Sequence, residues 1–384
     1  MNKLSAILLG LIYCLLGLGM VTAQEPGLSP PANQSMLPSL ATIKACNSAA
    51  NSPECLDKLF RAALTKHTTL ETLQLIQRFE KEDADLRRDC HPVVHAIGRE
   101  TYRIKGTIHE SFNACDQTCH SGCYHGSVER FLRGEDIYAQ VAKHPSAAEL
   151  KQKAAEACDP KLADRYRFQC LHGLGHALLY FNRYQLVSTL EACDALPNGW
   201  TQSSCYGGVF MENVSNATPE LRDLSPTDYH YPCNKIPARY RSDCYVMQTS
   251  RMSEMGLGTD RIFEECAKSG EYRFQCALSA GRDLSNYVRL GQVEPSAQKC
   301  QNAGGEAKRA CVQGVVYALI DNTWDGRYAM PFCAALGDER DQSDCYRESL
   351  GYLKSTFGKT PAELAKDCQQ HVTPAARCVE LSAR

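Results

Sequence analysis

The sequence predicts an all-α fold: an α-solenoid of stacked helical hairpins, about 35 residues per repeat, stapled by disulfides. Three observations predict it. Cysteines recur as close pairs at a nearly fixed interval, short sequence signatures recur with them, and helix-forming stretches run up to the pairs.

The 384-residue chain carries 21 cysteines, and one of them, Cys14, lies in an N-terminal apolar stretch. Most of the others fall into close pairs: 46/55, 115/123, 158/170, 193/205, 233/244, 266/276, 300/311, 333/345 and 368/378. The second members, with Cys90 added, step along the chain by 32 to 39 residues, except for one step of 47 from Cys123 to Cys170. A sustained period of this length marks a helical-repeat array and replaces a domain count based on length. Cys90 and Cys119 are left over and pair with each other by elimination.

The residues around the cysteines repeat as well. "YRFQC" begins at Tyr166 and again at Tyr272, and "YRSDC" begins at Tyr240. Asp89, Ser204, Asp243 and Asp344 precede second cysteines, where they are expected as helix N-caps. Upstream of first cysteines stand helix formers such as "AAELKQKAAEAC" and "RIFEEC". Each unit therefore reads as helix A, turn, helix B, with a cysteine pair joining the end of one B helix to the start of the next A helix. Tyr124, Tyr206, Tyr245 and Tyr346 follow second cysteines throughout and read as packing residues.

The N-terminus has Lys3, an apolar run from Leu4 to Val21 and the tripeptide Val21-Thr22-Ala23. That is the layout of a secretory signal peptide over residues 1–23, with an uncleaved anchor as the other reading. Residues 24–39, "QEPGLSPPANQSMLPS", read as a flexible Pro/Ser-rich leader. Residues 40–384 read as a single helical-repeat domain. No later stretch is long and apolar enough to span a bilayer, so the expectation is an exported chain, periplasmic or extracellular. The remaining even number of cysteines fits disulfides in such a compartment. Formal net charge is −2, with no basic block, which gives nucleic acid no electrostatic footprint.

In repeat length, paired cysteines and the segment "KQKAAEAC" (151–158), the chain from Leu40 onward resembles the secreted, disulfide-stapled Sel1-like repeat proteins of bacteria, relatives of tetratricopeptide arrays. The resemblance implies a stacked-hairpin fold and a general binding role; separately, the concave face that a solenoid exposes is expected to suit a protein or peptide partner. It implies no site residues.

Most of the 11 histidines lie between His91 and His176. Two and six residues beyond the second cysteine stand His125 and Glu129 in one unit, and His172 and His176 in the next. The unit before them carries His91 and His95, the same spacing shifted by one residue. Residues four apart share a helix face, so both side chains can reach one cation. Adjacent A helices lie close enough for such pairs to converge, as in bundle di-metal sites. The equivalent later positions read Gly207/Met211, Val246/Ser250, Leu278/Arg282, Gln313/Tyr317 and Arg347/Gly351, so the pattern is no general need of the repeat.

His91, His95, His125, Glu129, His172 and His176 are therefore expected to hold a transition metal, with zinc, copper and iron all suited to such ligands. Six candidates leave room for a dinuclear centre or for an open, catalytic position, hydrolytic or oxidative. The alternative is a non-enzymatic scaffold on which the histidines are surface decoration or a pH-responsive patch. Gly126, Gly173, Gly208 and Gly314 recur three residues after second cysteines and read as close helix contacts. Gly175, between two histidines, has no such counterparts and is expected to make room for a ligand or ion. The 47-residue step is expected to place its extra residues, around 134–156, outside the A-helix stack.

With every pair oxidised, the intact mass should lie about 20 Da below the reduced value, two hydrogens per bridge. Free thiols at several of these positions would contradict both the compartment and the repeat assignment.

Overall fold

The computed structural model describes residues 37–134, 145–215 and 219–383, and these residues form helices with no strand. The expected signal peptide, and the expected leader as far as Met36, lie outside the described residues.

The first helices are α1 (Leu40–Asn47), α2 (Ser52–Ala63), α3 (Thr69–Glu82), α4 (Ala84–Lys105) and α5 (Ile108–Ala114). They are followed by α6 (Thr118–Arg133), α7 (Ala147–Glu156), α8 (Asp164–Phe181), α9 (Leu186–Cys193) and α10 (Gly199–Ser215). Next come α11 (Ala238–Tyr245), α12 (Thr249–Glu254), α13 (Thr259–Ala267), α14 (Arg273–Arg289) and α15 (Val293–Ala303). The chain closes with α16 (Gly305–Thr323), α17 (Ala329–Ala334), α18 (Glu339–Phe357), α19 (Pro361–His371) and α20 (Ala376–Ser382).

Ten cysteine pairs lie at disulfide distance, with Cα atoms 5.2–5.9 Å apart, and they include Cys90 with Cys119. From Cys266 onward each first cysteine lies in the last turn of a shorter helix (α13, α15, α17, α19), and each second one lies inside the following helix. This placement corrects the expected N-caps. Asp89, Ser204, Asp243 and Asp344 sit within α4, α10, α11 and α18, because those helices begin before the cysteine. The working caps of α4 and α18 are Asp83, which accepts from the Leu86 amide, and Asp338, which accepts from the amides of Arg340 and Asp341.

The long helices pack in sequence: α4 on α6, α6 on α8, α8 on α10, then α14 on α16 and α16 on α18. The short pair α11 and α12 fills the place between α10 and α14. The extra residues before Cys170 include α7, and α6 still packs on α8 as expected. The array also turns back on itself, since α16 touches α6 and α18 touches α8. Trp324 stacks on Tyr124, with centroids 6.0 Å apart, and Arg289 at the end of α14 pairs with Glu80 of α3 at 2.9 Å.

Three helix pairs interlock through reciprocal glycines. A Cβ on Gly98 of α4 would stand 2.1 Å from the Cys123 carbonyl oxygen, and one on Gly126 of α6 would stand 2.0 Å from that of His95. Gly175 and Gly208 meet Cys205 and His172 in the same way at 2.1 and 1.9 Å. Gly281 and Gly314 meet Cys311 and Leu278, each at 2.0 Å. Gly175 is thus a helix-contact glycine like the others, against the expectation that it clears space for a ligand. The matched contacts also fix the register, making His95, His172 and Leu278 equivalent. Counting from cysteines sets His95 beside His176 instead. The count slips in α4 because Cys90 partners Cys119, which lies after it, and not a cysteine just before it.

Gly208→Ala should cost about 1–3 kcal/mol or more, since backbone must move to admit the methyl group. Gly351→Ala, inside α18 with nothing within 4 Å of the added Cβ, should be neutral or stabilise by up to about 1 kcal/mol. Urea unfolding of the two variants checks the opposite signs.

Candidate metal centre

The helix contacts bring five histidines from α4, α6 and α8 together. His91 and His95 have ring centroids 4.4 Å apart, and His125 lies 5.3 and 5.5 Å from them. His176 lies 5.4 Å from His125, and His172 lies 5.2 Å from His125 and 5.1 Å from His176. Ring nitrogens of His91, His95 and His125 all fall within 4.8 Å of one another. All but His91 are buried, and His91 is half-buried.

The hydrogen bonds around the cluster fix which nitrogen faces inward. His91 Nδ1 is 2.8 Å from the Cys119 carbonyl oxygen, which can only accept, so Nδ1 carries the proton. His95 Nδ1 is 2.6 Å from Glu129 Oε1 and donates to it. Both Nε2 lone pairs are then turned toward each other at 2.9 Å. Two acceptors at that distance repel unless a cation, a proton or a metal ion, stands at them. His176 Nδ1 donates to Glu212 Oε2 at 2.9 Å, and its buried Nε2 has no partner. His125 Nε2 donates to Gln169 Oε1 at 3.1 Å, and its buried Nδ1 has none. Four imidazoles thus have one nitrogen tied to an acceptor and the other left for an ion. Such outer partners are what fix tautomer and ring orientation in metal sites.

Burial pushes the imidazoles of His91, His125 and His172 well below their ordinary value, and neighbouring imidazoles add to the effect. They are held neutral, which is the form that ligates metals. Glu129, expected as a ligand, contacts His95 Nδ1 through Oε1. Its Oε2 accepts from Arg99 Nη1 at 2.8 Å, and Arg99 is held in turn by Asp57. Burial opposes ionisation of Glu129, but His95 and Arg99 outweigh it and hold the carboxyl well below the usual range.

The Cys119 carbonyl is aimed at His91 by an unusual turn. Cys119, His120 and Ser121 have φ values of 50°, 58° and 63°, left-handed backbone that costs roughly 1–2 kcal/mol per residue outside glycine. Cys119 is anchored there by its pairing with Cys90. His120 is directed elsewhere, since its Nε2 accepts from Arg289 Nη1 at 2.6 Å. Glu80 lies near the Cys90 and Cys119 sulfurs, but those sulfurs are paired with each other and are no ligands.

His125 and His172 also line a cavity of about 280 Å³. Gly207, Met211, Val246, Leu278, Arg282 and Tyr317 line it too. These are the later-unit positions equivalent by cysteine count to the histidines, so the inward face persists along the array while the ligand chemistry does not. The volume is of the order of a small-molecule site.

Gln169, Glu212, Arg99 and Asp57 join the site without standing out in the sequence. A usable signal is there: His95 and Glu129, and His176 and Glu212, are each about one repeat apart, at separations of 34 and 36 residues. Among the described residues no helix is long and apolar enough to cross a membrane. Compared with known protein families, curated proteins and solved structures, the chain matches none of them.

Arg99→Met leaves two buried carboxylates, Asp57 and Glu129, without their shared cation. Loss of one member of such a buried network costs about 3–5 kcal/mol, which chemical denaturation will register.

Proposed function

We propose that this protein is an exported, disulfide-stapled helical-repeat metalloprotein whose transition-metal site is built from three adjacent helices. His91 Nε2, His95 Nε2, His125 Nδ1 and His176 Nε2 are the ligands. Glu129, Glu212, Gln169 and the Cys119 carbonyl orient them. The observation that carries this reading is the pair of inward lone pairs on His91 and His95, 2.9 Å apart, beside two further buried ring nitrogens with no partner. Cis ligands on an ion with bonds of about 2.05 Å stand roughly 2.9 Å apart at a right angle, so the spacing is one a metal tolerates.

The all-nitrogen set suits zinc, copper or iron. When bound, the ion supplies Lewis acidity or, if copper or iron, electron transfer. His172 lines the cavity next to His125 and His176, where it serves as a further ligand or as a polar group facing a bound molecule. The paired cysteines support an oxidising, exported setting, since cytosolic thiols stay reduced. They tie short helices to long ones along the array and keep the histidine-bearing helices in register.

The test is elemental analysis of protein expressed in metal-replete medium. Wild type should hold stoichiometric zinc, copper or iron. His95→Ala and His176→Ala should lose it with helical circular dichroism retained, and His371→Ala, at the end of α19, should not. Glu212→Gln should weaken metal affinity by about 10–100-fold, the usual effect of losing an orienting partner. Absence of metal from wild type, or equal content in all variants, would rule the reading out.

A further inference from the structure

The cavity carries a second chemistry that the histidines do not explain. Its lining also includes two carboxyl groups, Asp243 and Asp321, and among the described residues neither is in an ion pair. Asp321 accepts from Tyr352 at 2.8 Å, and burial pushes its carboxyl up to about 7. Burial likewise raises Asp243 to about 6, against a hydrogen bond from Ser203. Beside Asp321, the 6 % exposed Asn322 spends its amide N–H on the Ala318 carbonyl at 2.7 Å and leaves its Oδ1 without a donor. Ser121 Oγ, 1 % exposed, also lines the space without a partner.

The cation on the wall, Arg282, is already matched. Its Nη2 donates to Asp283 at 2.8 Å and to Ser250 at 2.6 Å, and its buried Nε lacks an acceptor. The space therefore presents acceptors and unmatched carboxyls, with Phe168, Met211, Val246, Met247 and Leu278 as its apolar part.

We propose that this cavity binds a small organic amine, with its ammonium group at Asp321 and the Asn322 carbonyl and its apolar body against the hydrophobic wall. An ammonium supplies the donors and the charge that these groups lack. A carboxylate of the same shape meets two carboxyl groups and a guanidinium already neutralised. An alcohol supplies one donor and no charge. The binding goes beyond the metal reading and does not depend on it, because neither Asp321 nor Asn322 belongs to the histidine cluster.

The test is calorimetric titration of the purified protein at pH 8 with butylamine and benzylamine, against butanol, benzyl alcohol, butyrate and benzoate. Titrations are run before and after treatment with a chelator. The amines should bind at least about tenfold tighter than the matched alcohols and acids, a difference of about 1.4 kcal/mol. Chelation should leave that preference in place. Asp321→Asn should lower amine affinity by about tenfold or more with metal content unchanged, and Asn322→Ala provides a second variant should the first fail to fold. Equal or tighter binding of the alcohols or acids, no amine binding, or full affinity in the folded variant would overturn the proposal. So would loss of amine binding on chelation, which would assign the amine to the metal instead.

Discussion

Backbone meets backbone where α4 crosses α6 and where α8 crosses α10. The His95 carbonyl oxygen occupies the place of a side chain on Gly126, and the His172 carbonyl oxygen the place of one on Gly208. Contacts this close leave no freedom for the helices to slide or rotate. Rings borne on the same turns, His91 and His95 on one helix and His125 on the next, therefore meet within 5.5 Å. The same contact recurs between α14 and α16, where Leu278 stands in the place of the histidine and no ligand cluster forms. The close approach is a property of the repeat, and the histidines use it.

A cluster of imidazoles gains little by itself from burial. What fixes it is the ring of acceptors outside it. Glu129 ties His95 to Arg99 and through it to Asp57 on α2, while Glu212 ties His176 to Tyr184 at 2.9 Å. Each bond settles a tautomer, and together they turn the unprotonated nitrogens toward one another. The left-handed turn at Cys119 to Ser121 serves the same end, because it points a carbonyl at His91 that an ordinary helix start would bury in its own ladder.

Much of this is legible in the sequence. The cysteine interval announces helices in a repeat, and all ten expected pairs lie at disulfide distance, Cys90 with Cys119 included. The i,i+4 histidines announce a shared face, and five of the six expected site residues are imidazoles that meet. Glu129 meets the same cluster at His95 and also pairs with Arg99, a contact that spacing alone does not show. The cysteine count misplaces the register of α4 because Cys90 is bonded forward in the chain. Gly175 misleads because a lone glycine between histidines looks like space for an ion until its neighbour helix is seen. The closure of α16 onto α6 leaves no trace in the periodicity, because it joins units far apart in the chain.

X-ray absorption on the metal-loaded protein tests the central claim most directly. The account predicts a first shell of nitrogens, at about 2.0–2.1 Å if the ion is zinc, with the outer-shell scattering of at least three imidazoles and no sulfur. A shell of oxygens alone, or one containing sulfur from Cys90 or Cys119, would contradict it.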